Sequence, residues 1–277
     1  MTADSTSERR HARAMASLRG LALGDALGSQ YFVPVNYPLL KRRELPADTG
    51  IWQWTDDTEM ACSVVAVLAE HGRIDQDALA NSFAHHHDFD RGYGPAVNRM
   101  LRLVREGEDW RTLAAELFNG QGSWGNGAAM RIAPLGAWYA DDPEQATHQA
   151  EISAYTTHQH LSLIQIALVP RSAVGAGLRR ARDMLDYGDA TTVAAVLGCG
   201  RRTSAHDTVP FALWSAARSL DDYERAFWTT AQVGGDVDTT CAIVGGVLGA
   251  RGDAVLPAAW LARTEPLPAW LPEAPAV

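Results

Sequence analysis

Cysteine is scarce in this 277-residue chain. Cys62, Cys199 and Cys241 are odd in number, far apart and form no Cys-x-x-Cys pair. That argues against a disulfide framework or a thiolate zinc site and suits a reducing compartment. Positive charge is also short: the formal net charge is -9. A general nucleic-acid or anionic-membrane binder needs a basic face, so neither partner is expected as a stable one. No apolar run is long enough to span a bilayer. Met1 to Arg19 carries charge but no clean apolar segment before Asp25, so it does not read as a secretion signal, and the cytoplasm is the expected location. Nowhere is there a convincing ladder of alternating β-branched residues.

What is present is helical punctuation around a sizeable apolar fraction. At 47% hydrophobic and 21% charged, the chain has the balance of a soluble domain with a real core. It shows no composition break, so one all-α domain over 1–277 is expected, with residues 1–8 disordered or frayed. A first helix is expected from about Arg9. Further helices are expected over Thr58–Gly72, Ile74–His87, Val97–Glu106, Asp109–Phe118, Ala128–Tyr139 and Pro143–Thr157, then over 175–187, 190–199, 208–218 and 221–231. Residues 30–50, with Pro34, Pro38, Pro46 and Gly50, read as a long loop and a candidate substrate wall. From Pro257 the chain reads as a terminal segment lying over the surface.

Two acidic turns organise the rest: Thr55-Asp56-Asp57-Thr58-Glu59, and Asp236-Val237-Asp238-Thr239-Thr240. Each opens an apolar helix. One acidic residue there is a cap, worth roughly 1 kcal/mol. Two carboxylates so close repel unless a cation lies between them. Each turn alone reads equally as a doubly capped helix start; the pair points to a shared cation site. Carboxylate and hydroxyl oxygens, with no soft sulfur, select magnesium, manganese or calcium.

Gly20, Gly24 and Gly28 recur every four residues and strip one helix face of side chains, for packing alone or for close approach near Asp25. Gly120 to Gly127 is a glycine-rich loop feeding a helix, a setting that suits an oxyanion, though the signal by itself is weak. The run His85-His86-His87 reads as surface, because adjacent helical residues diverge. His158 reads either as a ligand contact or as a helix C-terminal histidine.

With these blocks in view the chain resembles the ADP-ribosylglycohydrolases. Four blocks carry the likeness, in order: Gly20-Leu-Ala-Leu-Gly-Asp-Ala-Leu-Gly28, Trp54-Thr-Asp-Asp-Thr58, Gly125-Asn-Gly-Ala-Ala-Met-Arg-Ile-Ala-Pro134 and Gly234-Gly-Asp-Val-Asp-Thr-Thr-Cys-Ala-Ile243. The resemblance implies an all-α orthogonal helix bundle with two Mg²⁺ ions, Mn²⁺ being an alternative. It implies Thr55, Asp56, Asp57, Asp236, Asp238 and Thr239 as metal ligands. It assigns Gly125, Asn126, Gly127 and Ala128 to the ADP-ribose cradle, with His158 and the Arg91–Gly94 turn (Tyr93 and Gly94) nearby, and Asp25 among the substrate-binding residues. The implied reaction is hydrolysis of the bond between ADP-ribose and an acceptor on a protein, a nucleic acid or a small molecule, in a monomeric protein.

Two departures from the family pattern stand out. Phe32 occupies the place where several members carry a catalytic glutamate, so acid–base work falls to Asp56, Asp57, Asp238 or Glu59, and serine-linked ADP-ribose becomes a less favoured substrate. Leu161 to Ala173 replaces an acidic, then alanine-rich helix with an apolar run, through a local frame change in the gene or through divergence. The alternative function is an ADP-ribose or NAD-derivative binding protein that keeps the metal site without turnover. A purely structural descendant is disfavoured, since it has no reason to keep clustered carboxylates.

Overall fold

The structure is a computed structural model and describes residues 3–47, 50–159 and 172–272. Among these there are fifteen α-helices and no strand, which agrees with the all-α expectation. In chain order they are α1 Ala3–Ser29, α2 Leu39–Arg42, α3 Asp56–His71, α4 Gln76–His86, α5 Pro95–Arg105, α6 Trp110–Gly120, α7 Gly127–Met130, α8 Ala133–Trp138, α9 Pro143–Tyr155, α10 Ala173–Asp183, α11 Ala190–Leu197, α12 Ala205–Arg218, α13 Tyr223–Ala231, α14 Val237–Gly249 and α15 Ala258–Leu261.

The centre of the molecule is the pair α1–α14, and the glycine spacing explains it. A Cβ on Gly24 would stand 2.2 Å from the Cys241 carbonyl oxygen, and one on Gly20 2.3 Å from that of Gly245. On Gly28 it would meet the Asp238 Cα at 2.8 Å. Gly245 and Gly249 answer from the other side, with hypothetical Cβ atoms 2.2 Å from the Gly20 oxygen and 2.6 Å from the Ala16 oxygen. Only bare backbone on both helices permits this approach. Leu21, Met60, Val64 and Ala242 pack on one side of the pair, and Leu23, Leu27, Ala212, Phe227 and Val244 on the other.

Several boundaries differ from expectation, each for a local reason. The first helix begins at Ala3 rather than near Arg9, so residues 3–8 are helical. Helix α3 starts at Asp56, because Thr55 takes the N-cap and accepts the Asp57 N–H at 3.4 Å. Helix α6 is interrupted at Leu117, where Phe118 and Asn119 turn left-handed. The helix expected over Ala128–Tyr139 is two, α7 and α8, because Pro134 sits in the first turn of α8, where its missing N–H costs least. Residues 30–47 are not a plain loop: a 3-10 turn over Gln30–Phe32 precedes α2. The apolar run from Leu161 lies largely outside the described residues.

The C-terminal segment does more than cover the surface. Trp52 N–H donates to the Arg263 carbonyl at 2.6 Å, and Glu265 N–H donates to the Trp52 carbonyl at 2.9 Å. The Glu265 carboxylate grips Arg91 in a two-point pair at 2.6 and 2.8 Å, and Arg91 lies 3.7 Å over the Trp54 ring. Residues 263–265 thus brace the strand-like stretch that leads into Thr55.

Candidate metal centre and active-site cleft

The glycine-lined helix pair places Asp25 of α1 beside Asp238 of α14, and the start of α3 fits against both. Asp25 is fully buried. Its Oδ2 accepts from Thr55 N (2.9 Å), Thr58 N (3.1 Å) and Thr58 Oγ1 (2.5 Å), while Oδ1 faces Thr55 Oγ1 at 2.8 Å. Asp25 is therefore the peg on which the first acidic turn hangs. Carboxylate oxygens of Asp25, Asp57 and Asp238 all lie within 4.8 Å of one another.

Asp57 stands at the meeting point. Its Oδ2 is approached by Thr55 Oγ1 at 3.2 Å and Thr239 Oγ1 at 3.4 Å, so the two acidic turns touch across 182 residues of sequence. Its Oδ1 is buried and has no hydrogen-bond partner. A buried carboxylate oxygen with no donor carries a desolvation cost that a cation relieves. The second turn is held from behind. Asp236 N–H donates to the Cys199 carbonyl at 3.0 Å, and Asn126 Nδ2 donates to Asp236 Oδ2 at 2.6 Å. Asn126 thereby ties the glycine-rich loop to the acidic floor.

The electrostatics agree with that picture. Burial pushes the Asp57 carboxyl well above its ordinary value, and Asp25 and Asp238 push it further. Asp238 is raised by burial, then by Asp236 and Asp25. Asp56 is pushed up to about 8, chiefly by burial and next by Asp25. Asp25 and Asp236 are raised by burial despite the donors around them. All five carboxylates bind protons more tightly here than in water, and divalent charge among them would relieve the crowding that causes it. The donor set is all oxygen, which fits Mg²⁺ or Mn²⁺; Asp57, Asp238, Asp56 and Asp236, with Asp25 behind them, are the residues that fit such an ion.

Above this floor lies a cleft of about 590 Å³, of the size that holds a small organic ligand. Depressions of about 610 and 690 Å³ lie elsewhere. Neither has a carboxylate cluster, so size does not choose between them and chemistry does. The cleft is lined by Asp56, Asp57, Asp236, Asp238 and Thr239 below, by Gly92, Gly94 and Pro95 on one wall, and by Ser123, Gly125, Asn126, Gly127 and His158 on the other.

Not every expected residue lines it. Ala128 does not, and neither does Thr55 or Asp25. Tyr93 is turned inward, its hydroxyl donating to Glu59 Oε2 at 2.6 Å. Glu59 also accepts from Asp88 N at 3.1 Å and is spent on holding the 88–94 turn. None of residues 30–47 borders the cleft, so the wall expected from that stretch is absent among the described residues. Phe32 is 53% exposed and away from the cleft lining. Of the surface histidines, His86 stacks on Trp270 and His87 Nε2 meets Asn98 Oδ1, and no metal group forms there among the described residues.

The structure adds residues that the sequence did not flag. Arg131, Met60, Phe118 and Thr203 all line the cleft. Arg131 had a signal, as a lone charge in the run Ala-Ala-Met-Arg-Ile-Ala. Thr203 had none, because it arrives from a distant loop through the bond from Asn126 N to its carbonyl at 3.0 Å.

An α-helical scaffold with a carboxylate-floored cleft of this size belongs to a definite class. The chain is a member of the ADP-ribosylglycohydrolase family, whose sequence model matches residues 6–276. It is 27% identical to an ADP-ribosylhydrolase ARH3 of Xenopus tropicalis, with 91% of each chain covered. It is 25% identical to the ADP-ribosyl-[dinitrogen reductase] glycohydrolase of Rhodospirillum rubrum, covering 92% of this chain and 91% of that one. A solved structure titled "ADP-ribosylglycohydrolase-related protein complex" superposes with a TM-score of 0.62 at 26% identity, covering 93% of each chain. The family is one of glycosyl hydrolases, and the chain is an enzyme of that class. No described helix is long and apolar enough to cross a membrane.

Proposed function

We propose that this protein hydrolyses the glycosidic bond between ADP-ribose and an acceptor, with Mg²⁺ as the physiological cofactor and Mn²⁺ as a substitute. The observation that carries the reading is the unpartnered, buried Asp57 Oδ1 in the floor of a cleft of ligand size. Asp57, Asp56, Asp236 and Asp238, with Thr55 and Thr239, would hold two divalent ions, whose Lewis acidity would fix ribose hydroxyls and favour ionisation of a nearby water.

The protein's own groups supply the rest. Asp56 faces the cleft, so one of its carboxylate oxygens takes the proton of the attacking water. Asp25 behind the four liganding carboxylates brings the floor to five negative charges against four from two divalent ions, which favours an oxocarbenium-like transition state as it develops positive charge. Gly125, Asn126 and Gly127 form the cleft wall that would cradle the ADP-ribose, and the missing Cβ of Gly127 leaves room for His158. Glu59 acts at one remove, through Tyr93 and the 88–94 turn.

Without a glutamate at position 32, the acceptors favoured are arginine, another side chain, a nucleobase or a small molecule rather than serine. The test is incubation with ADP-ribosylated arginine, serine and DNA, each with Mg²⁺ and with a chelator. Mg²⁺-dependent release of ADP-ribose from at least one is expected. Binding without release on every substrate would replace this reading with that of a binding protein.

A further inference from the structure

Arg131 is an arginine without a carboxylate. Its side chain is fully buried, with Nη2 donating to the Ser153 carbonyl at 3.2 Å and to Thr157 Oγ1 at 2.9 Å. The guanidinium lies 4.6 Å over the Phe83 ring, and Nε has no partner. Thr157 Oγ1 in turn stands 2.7 Å from His158 Nδ1.

The direction of each hydrogen bond in this chain follows from donor chemistry. A guanidinium only donates, so Thr157 Oγ1 accepts from Arg131. The Thr157 hydroxyl proton then has one acceptor among the described residues, His158 Nδ1. Were Nδ1 protonated and donating to Thr157, the hydroxyl proton of a fully buried threonine would be left unpaired, a costly arrangement. Nδ1 therefore accepts, and the proton of the neutral ring sits on Nε2. Burial, with Arg131 nearby, keeps the ring neutral. Nε2 faces the glycine-rich loop, 3.1 and 3.4 Å from where Cβ atoms on Gly127 and Gly125 would stand.

The charge distribution says what meets this proton. Four carboxylates line the cleft and Arg131 is the one cation that does so among the described residues. An anionic oxygen beside the glycine-rich loop finds its donor at His158, backed by the guanidinium. We propose that Arg131 and Thr157 are positioning residues that lock His158 as the Nε2–H tautomer, making it a dedicated donor to a phosphoryl oxygen of the substrate. The tautomer follows from the hydrogen bonds alone; the phosphoryl oxygen rests on the ADP-ribose reading above.

The experiment uses the full chain labelled with ¹⁵N-histidine, together with T157V and T157S. Two-bond proton–nitrogen spectra of the ligand-free wild type should show His158 as the neutral Nε2–H form at pH 7. T157V should lose that pattern and bind ADP-ribose about tenfold more weakly by calorimetry. T157S, which keeps the hydroxyl, should retain both. An Nδ1–H or doubly protonated His158 in the wild type overturns the relay, whatever the variants do. An unchanged ADP-ribose affinity in T157V overturns the donor role. Wild type that shows the tautomer but binds no ADP-ribose overturns the ligand assignment, and with it the functional reading, while leaving the relay standing.

Discussion

Replacing Asp56 with asparagine should stabilise the metal-free protein and weaken the metal-loaded one. The ordinary Asp56 value of 3.8 is pushed up to about 8 by burial, with Asp25 the next cause. A carboxyl whose affinity for protons is higher folded than unfolded loses stability as pH rises between those two values, because the unfolded chain releases its proton first. Between pH 3.8 and pH 7 the penalty accumulates at about 1.36 kcal/mol per pH unit, on the order of 4 kcal/mol. Part of Asp56 is open to the cleft and its neighbours share the titration, so about 2–3 kcal/mol is the figure to expect. A neutral amide at this position has no such penalty. In a chelator at pH 7, Asp56→Asn should therefore melt roughly 5–10 °C above wild type, with the gap shrinking toward pH 5. In saturating Mg²⁺ the order should reverse. Differential scanning fluorimetry across pH 5–8, with and without Mg²⁺, reads all of this. A variant that melts with or below the wild type in chelator at pH 8 would show that the carboxylates are not crowded at each other's expense.

Other outcomes follow from the same geometry. Asp56→Ala and Asp238→Ala should each abolish ADP-ribose release while circular dichroism stays that of the folded protein; turnover at the wild-type rate by either refutes the assigned roles. The wild-type thermal shift on adding Mg²⁺ should grow from pH 5 to pH 8, since protons compete with the cation for Asp57 and Asp238, both held well above their ordinary values by burial. Gly24→Ala puts a methyl group 2.2 Å from the Cys241 carbonyl oxygen, so the central helices must part by roughly an ångström. A loss of about 3 kcal/mol in urea unfolding is expected, with weaker Mg²⁺ binding; wild-type values for both would refute the close helix pair. Gly127→Ala places a Cβ 2.9 Å from His158 Cε1 and should raise KM for ADP-ribosylated substrate while leaving the melting temperature within a few degrees.

Much of the site was legible in the order of residues, and the parts that were not share a cause. Paired carboxylates beside hydroxyls mark a helix start and a cation site together, because both needs fall on the same few consecutive residues. The one-in-four glycines are likewise local, and they anticipated a close approach without naming the partner helix. Glu59 and Tyr93 misled, since a sequence shows that a carboxylate adjoins the metal turn but not that it faces Asp88 and Tyr93 instead of the cleft. Asp25 was placed with the substrate, whereas its carboxylate oxygens face Thr55 and Thr58. Trp52 carried no signal of its role as a brace, because its partners Arg263 and Glu265 lie far along the chain.

The residue order by itself determined the helical class, the family and the oxygen-donor chemistry, for these depend on composition, local periodicity and short motifs. Only the tertiary structure decided that Asp57 Oδ1 is left without a donor, that Asn126 couples the glycine-rich loop to Asp236, and that Arg131 reaches His158 through Thr157. Those are statements about which side chains share a few ångströms after the chain has closed on itself. Backbone crossing, not sequence neighbourhood, sets that list.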